Sequence, residues 1–377
     1  MPKRYHSIDA LRGFCLVNIF VNHVSLGSLH YLSPSRLSFF DSADVFVLLS
    51  GISTFLAYGP LSDQRLGKIL RRTLVIFSFN AVIIAASLAI ALIGDMMHMP
   101  SNPEASPWAI IQNHGAVRYM AHLFSMQQSI GFSMVLKLYV LLMLVSPVYI
   151  WLALQRFWLP LIPAGAVWLL AGHFGLVEID TLTGTPLSMT FLPWNLIFAA
   201  GISFGAALRQ GLKAPKSSFL IIASSSLLVF CSFVLIVGGR YFPEVHVWLD
   251  QRNDAFWSGA SKTLQSPVRV ASLFAATYLV AVCTDAPLIR LLHAVRADNV
   301  LCRLGRQSLQ VFSLGAVLAF LIDHYIWYLY QEQNIALYGV RYLAVELLLI
   351  VTGILAMITL ADRLQIRRAP RTAGQTT

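Results

Sequence analysis

Charge is scarce in this chain. Only 12% of its 377 residues are Asp, Glu, Lys or Arg, about half the share found in soluble domains. Acidic groups are scarcer still, 17 against 27 basic ones. With 57% of residues hydrophobic, that supply cannot cover a water-facing surface, so a soluble domain is excluded. Cysteine is limited to Cys15, Cys231, Cys283 and Cys302, in or beside apolar segments and without a C-x-x-C pair. They read as small buried residues, neither a zinc site nor a disulfide framework, and no metal is expected. No P-loop, G-x-S-x-G, H-E-x-x-H or dinucleotide fingerprint occurs. No linker, low-complexity tract or fixed-period repeat divides the chain, so residues 1–377 read as one domain. The net charge of +10 does not point to nucleic acid, because the basic residues are not gathered on one soluble patch.

What the chain does have is apolar runs of membrane-crossing length. The expectation is an all-α polytopic integral membrane protein with about ten transmembrane helices, near 8–29, 40–58, 73–94, 135–154, 159–176, 191–208, 218–238, 267–284, 301–322 and 338–360. Alternating the loops between two sides places eighteen Lys and Arg on one side and six on the other. The positive-inside rule then makes both termini cytoplasmic. Polar residues inside the first run, and the lack of an A-x-A-like site, argue for an uncleaved first helix. Residues 95–134 could include an interfacial helix. Residues 239–266 carry Trp248 and Trp257 among polar groups, suited to a sugar platform or to an aromatic membrane belt.

The first run, Ile8 to His23, is the unusual one, for it carries Asp9, Arg12, Asn18, Asn22 and His23. Ionisable groups in a membrane helix are costly and are functional candidates by default. Arg12 and His23 are eleven residues apart, which on a helix returns to within about 20° of the same face, about 16 Å along the axis. His23 is a candidate general base, although a lone histidine can also be a packing residue. His23 and Asp44 are equally far in sequence from a turn near Ser33-Pro34, so similar depth is expected and Asp44 could orient the imidazole. The plainer reading is that Asp41 caps the second helix and Asp44 makes a structural hydrogen bond. Lys68 and Arg71, one turn apart in Arg65-Leu66-Gly67-Lys68-Ile69-Leu70-Arg71-Arg72, could form a phosphate-binding rim or ordinary headgroup anchors. Arg306, in Arg303-Leu304-Gly305-Arg306-Gln307-Ser308, is similar. Arg269 and Lys262 could pair with a carboxylate on a transferred group.

These residues carry a resemblance. Asp9-x-x-Arg12-Gly13, the ten residues between Arg12 and His23, and Asp44-Val45-Phe46-Val47-Leu48-Leu49-Ser50-Gly51 resemble the signature of the membrane acyltransferase family 3 superfamily. Within it the chain is similar to the OpgC branch, whose members succinylate osmoregulated periplasmic glucans. Further stretches are Phe40-Asp41-Ser42-Ala43-Asp44, Leu138-Tyr139-Val140, Pro193-Trp194-Asn195, Lys262-Thr263-Leu264 with Arg269, and Gly305-Arg306-Gln307-Ser308. The resemblance implies ten membrane helices in a bacterial inner membrane. It implies an O-acyltransferase that moves an acyl group from cytoplasmic acyl-coenzyme A, as succinyl-CoA or acetyl-CoA, to a hydroxyl of a glycan outside. It makes His23 the catalytic histidine and Arg12 its partner, to which the hairpin geometry adds Asp44 in support. Donor phosphates fall to Arg12, Lys68, Arg71 and Arg306, and substrate binding to Arg269, Lys262 and Asp41. Alternatives are an O-acetyltransferase of exopolysaccharide or lipid-linked glycan, and a proton-coupled transporter that uses His23, Asp44 and Arg12 as a relay.

Overall fold

The computed structural model describes residues 5–24, 37–60, 64–96, 107–214, 219–252, 254–331 and 339–368. Among these residues there are fifteen α-helices and no strand. In order they are α1 (His6–Asn22), α2 (Ser42–Tyr58), α3 (Arg65–Met96), α4 (Pro107–His114), α5 (Ala116–Phe124), α6 (Ser133–Gln155), α7 (Leu161–Phe174) and α8 (Phe191–Arg209). Then come α9 (Phe219–Tyr241), α10 (Pro243–Asp250), α11 (Pro267–Val282), α12 (Pro287–His293), α13 (Val300–Arg306), α14 (Ser308–Gln331) and α15 (Val340–Arg368).

Every expected span has a helical counterpart. Six helices are long and apolar enough to cross a membrane: α3, α6, α8, α9, α14 and α15. The shorter apolar helices α2, α7 and α11 fall below that length. Large apolar side chains such as Phe219, Leu227 and Phe230 on α9, and Leu347, Leu348 and Leu355 on α15, stand exposed. Such faces are stable against lipid chains and costly against water. Cys231 is exposed on α9, whereas Cys15 and Cys302 are buried as expected. The connection around 95–134 contains α4 and α5, and α5 is anchored through buried Tyr119 and Leu123.

Three boundaries differ from the sequence reading. The first helix stops at Asn22, with His23 as its C-cap, not at residue 29; the expected turn at Ser33-Pro34 lies outside the described residues. The third helix starts at Arg65, so the whole basic stretch is helical. The ninth span is two helices, α13 and α14, broken at Gln307 (φ −108°, ψ 31°). Gln307 N–H donates to Leu304 O, three residues back rather than four, and this tightened turn lets the chain restart at Ser308.

Close backbone approach sets the interior. A Cβ on Gly51 would sit 2.2 Å from Phe198 O, and one on Gly201 would sit 2.2 Å from Leu48 O. The α2 and α8 backbones therefore touch through paired glycines, the small-residue packing that membrane helices use. A second such contact, between α1 and α13, fixes the polar first helix.

Candidate active site

Gly13 and Gly305 make that second contact. A Cβ on Gly13 would lie 2.0 Å from Leu301 O, and one on Gly305 would lie 1.8 Å from Asp9 O. Around it Arg306 Nε pairs with Asp9 at 3.6 Å, Arg306 NH2 lies 3.5 Å from His6 Nδ1, and Cys302 Sγ donates to His6 O. Arg306, expected to meet donor phosphate, is thus engaged by α1 itself. The D-x-x-R-G stretch divides its labour. Asp9 holds Arg306, Gly13 admits α13, and Arg12 is left to point along the interior.

Arg12 is half-buried. Its guanidinium donates to Ser53 Oγ at 3.4 Å and to Ser308 Oγ at 2.5 Å, and its Cζ lies 5.8 Å from the Phe46 ring centroid. Its Nε is buried without a hydrogen-bond partner. Among the described residues no carboxylate lies within ion-pair distance of this cation; its direct partners are two neutral hydroxyls and a ring face. Tyr139, Asp9 and Arg72 are within electrostatic range of it.

His23, at the far end of α1, sets its Nδ1 2.5 Å from Ile19 O. A carbonyl only accepts, so Nδ1 carries the proton and Nε2 is the basic nitrogen. The same bond seats the imidazole at a helix C-terminus, where a positive charge is favoured. The ring packs edge-on against Phe132, centroids 4.0 Å apart. It borders a small apolar cleft, of about 10 Å³, whose far wall is Phe312, Gly315, Ala316 and Ala319 of α14 with Met357 of α15. Phe312 also stacks on Phe46, centroids 6.5 Å apart and planes 23° apart. A line of Arg12, Phe46, Phe312 and the His23 cleft thus runs beside α1.

Beside it lies a buried charge cluster at the start of α2. Asp41 caps the helix by accepting from Ala43 N and Asp44 N, and Asp44 Oδ2 accepts from Asp41 N at 2.8 Å. This is a reciprocal capping box, here built from two aspartates. Both carboxylates are also paired: Asp41 with Lys262 at 2.7 Å and Arg269 at 3.1 Å, Asp44 with Arg269 at 2.5 Å. Gln265 Nε2 donates to Asp44 Oδ1 at 2.8 Å. Gln265 itself is buried at φ +49°, and its carbonyl accepts from Trp168 Nε1. Two acids meet two bases, so the cluster is neutral as a set.

The structure brings Asp41, Asp44, Lys262 and Arg269 together, but it does not bring Asp44 to the His23 ring. Both Asp44 oxygens go to Gln265, Arg269 and Asp41 N. The register explains why. Ser42 Oγ donates to Asn18 Oδ1 at 2.8 Å, so antiparallel helices place Asp44 level with residue 16, about 10 Å from His23 along the axis. Equal sequence distances from a turn give equal depth only if both arms are helical throughout, and α1 stops short. The Ile19 carbonyl holds the ring tautomer instead. Lys68 and Arg71 are both exposed on α3. Lys137 is tied at 2.6 Å to Glu178, which also accepts from Phe191 N.

Sequence reasoning passed over several residues of this constellation. Ser53, Ser308 and Gln265 are unremarkable polar residues until the partner helices are in place. Phe132 and Phe312 sit in apolar runs with nothing to distinguish them. Arg72 is different, because helical phasing against the apolar positions Ile69 and Ile76 would have put it on the inward face. Among the described residues no group of three or more His, Cys, Asp or Glu side chains could hold a metal ion.

A protein-family model described as "OpgC protein" matches residues 4–368, nearly the whole chain. No curated protein and no solved structure matches the chain.

Proposed function

The chain belongs to the OpgC family, and on that premise we propose that it is a membrane O-acyltransferase that moves an acyl group, succinyl foremost, from acyl-coenzyme A to a glucan hydroxyl. The observation that carries this reading is His23: a tautomer set by Ile19 O, presented at a cleft whose wall leads through Phe312 and Phe46 to the half-buried Arg12. The helices lie in a bacterial inner membrane as about ten spans with both termini cytoplasmic. The donor enters from the cytoplasm and the acceptor hydroxyl from the periplasm. Donor phosphate docks on Arg12, with Lys68 and Arg71 on the approach, and the thioester arm extends past the phenylalanine pair.

His23 Nε2 takes the proton of the attacking hydroxyl. The hydroxyl oxygen bonds to the thioester carbonyl carbon, and the carbon–sulfur bond breaks. The imidazolium returns its proton to the departing thiolate, leaving an ester, free coenzyme A and neutral His23. Arg269, Asp41 and Asp44 brace the start of α2 beside the acceptor side. Lys262, whose side chain is 37% exposed, is the cation of that cluster able to meet a succinyl carboxylate.

Mass spectrometry of periplasmic glucans tests the reading. A strain lacking the protein should lose an acyl substituent that returns with the wild-type chain. Glucans of identical mass in both strains would overturn it.

A further inference from the structure

Trp248 and Trp257, alike in the sequence, part company in the structure. Arg252 occupies the Trp248 ring: its Cζ lies 4.7 Å from the ring centroid, and its NH1 donates to Trp248 O at 3.2 Å. Trp257 is 63% exposed. The residue before it, Phe256, is buried and plugs into α7, where a Cβ on Gly172 would collide with the Phe256 ring. Trp168, one turn earlier on α7, packs edge-on against the same ring, centroids 5.4 Å apart. Trp257 then packs against Phe256 at 4.9 Å, and its Nε1 donates to His173 Nδ1 at 3.4 Å. The backbone is held as well. Ala255 N donates to Arg252 O at 3.1 Å, and a Cβ on Gly259 would strike that same carbonyl.

The Trp257 indole is therefore held in one pose with most of its surface open. A membrane-belt tryptophan turns its N–H to the headgroups and needs no fixed pose, whereas this N–H is taken by His173. Because an indole N–H only donates, His173 Nδ1 accepts and Nε2 carries the proton. His173 is itself exposed. An open aromatic surface beside an imidazole donor suits a hexose. The C–H groups on one side of a pyranose ring meet the electron-rich indole face, and a sugar hydroxyl oxygen accepts from the imidazole. The same packing leads to the cluster on the acceptor side. Trp168 Nε1 donates to Gln265 O at 2.7 Å, and Gln265 Nε2 donates to Asp44 Oδ1 at 2.8 Å. Lys262, a few residues beyond Trp257, pairs with Asp41 at 2.7 Å. Neither Trp257 nor His173 lines the His23 cleft, so a sugar held by them is not the one that reacts.

We propose that Trp257 and His173 form a platform on which one glucose unit of a glucan stacks, so that the protein binds a glucan chain in preference to free glucose. That this glucan is the acyl acceptor rests on the acyl-transfer reading above.

The test is glucan binding to the full chain in lipid nanodiscs, with acyl-free periplasmic glucan and free glucose as separate probes. Trp257→Ala should bind glucan about tenfold more weakly than wild type. Trp257→Phe, which keeps a ring, should fall between. Trp151→Ala, which removes an exposed tryptophan of α6, should bind as wild type does. In the transfer assay the Trp257→Ala loss should be a raised glucan KM with kcat unchanged, whereas a merely structural role would lower kcat. The fluorescence difference between wild type and Trp257→Phe isolates this one indole without depending on the Ala variant. That difference should respond to glucan and not to brominated lipid. Trp257→Ala binding glucan as tightly as wild type overturns the platform and leaves the acyl-transfer reading standing. Quenching of the difference signal by brominated lipid, with no response to glucan, makes Trp257 a belt residue and overturns the platform too. Wild-type protein that binds neither probe overturns both the platform and glucan as acceptor.

Discussion

Removing Arg269 should destabilise this protein far more than removing Lys262, although both cations pair with Asp41. Arg269 is buried and also pairs with Asp44, which is 0% exposed. Arg269→Met strips Asp44 of its cation and leaves Gln265 as its one remaining side-chain donor. Removing one partner of a buried pair costs about 3–5 kcal/mol, because the other charge stays behind unpaired. Lys262 is 37% exposed, so solvent already screens its contact, and Lys262→Met should cost at most about 1 kcal/mol. Combining Arg269→Met with Asp44→Asn removes the stranded charge, so the double variant should lose less than the sum of the single losses, with a coupling of about 1–3 kcal/mol. Reversible unfolding of purified variants in mild detergent reads all four values. Equal losses for Arg269→Met and Lys262→Met, or additivity of the double variant, would refute the claim that Asp44 depends on Arg269.

Three further outcomes follow from the same geometry. Gly13→Ala should cost about 2–3 kcal/mol, because its Cβ meets the Leu301 carbonyl and not a yielding side chain, whereas Gly67→Ala, with nothing within 4 Å, should be neutral or stabilising by up to about 1 kcal/mol; equal melting temperatures for the two variants would contradict the α1–α13 contact. Arg12→Lys should raise the apparent KM for the acyl donor with a smaller change in kcat, since it keeps the charge but loses the fork; an unchanged KM counts against phosphate docking there. Gln307→Pro should be tolerated poorly, because Gln307 N–H closes the turn onto Leu304 O and proline has no such donor; unaltered melting would mean that turn contributes little.

Much of the fold is legible in the sequence. Apolar run length placed the helices, and the cost of charge in a membrane singled out Asp9, Arg12 and His23. Asp41, Asp44, Lys262 and Arg269 each stand out in the sequence, yet their union does not. It depends on where α11 meets α2, 221 residues away in sequence for Gln265 and Asp44, and periodicity carries no such information. The break at Gln307 was hidden because a tight turn between two helices looks, in composition, like one continuous span. Counting from a turn pairs His23 with Asp44, a rule that fails when one arm ends early. Arg72 shows the opposite case: its phase relative to Ile69 and Ile76 puts it beside the buried face, while charge clustering draws attention to its neighbours.

The account stands or falls on His23 as the proton acceptor. Acyl transfer from acyl-coenzyme A to glucan by purified protein in lipid nanodiscs is the direct measurement. His23→Ala should fold, insert and be stabilised by coenzyme A as wild type is, while its transfer rate falls by about 10²–10⁴. A His23→Ala protein that transfers at the wild-type rate would contradict the account.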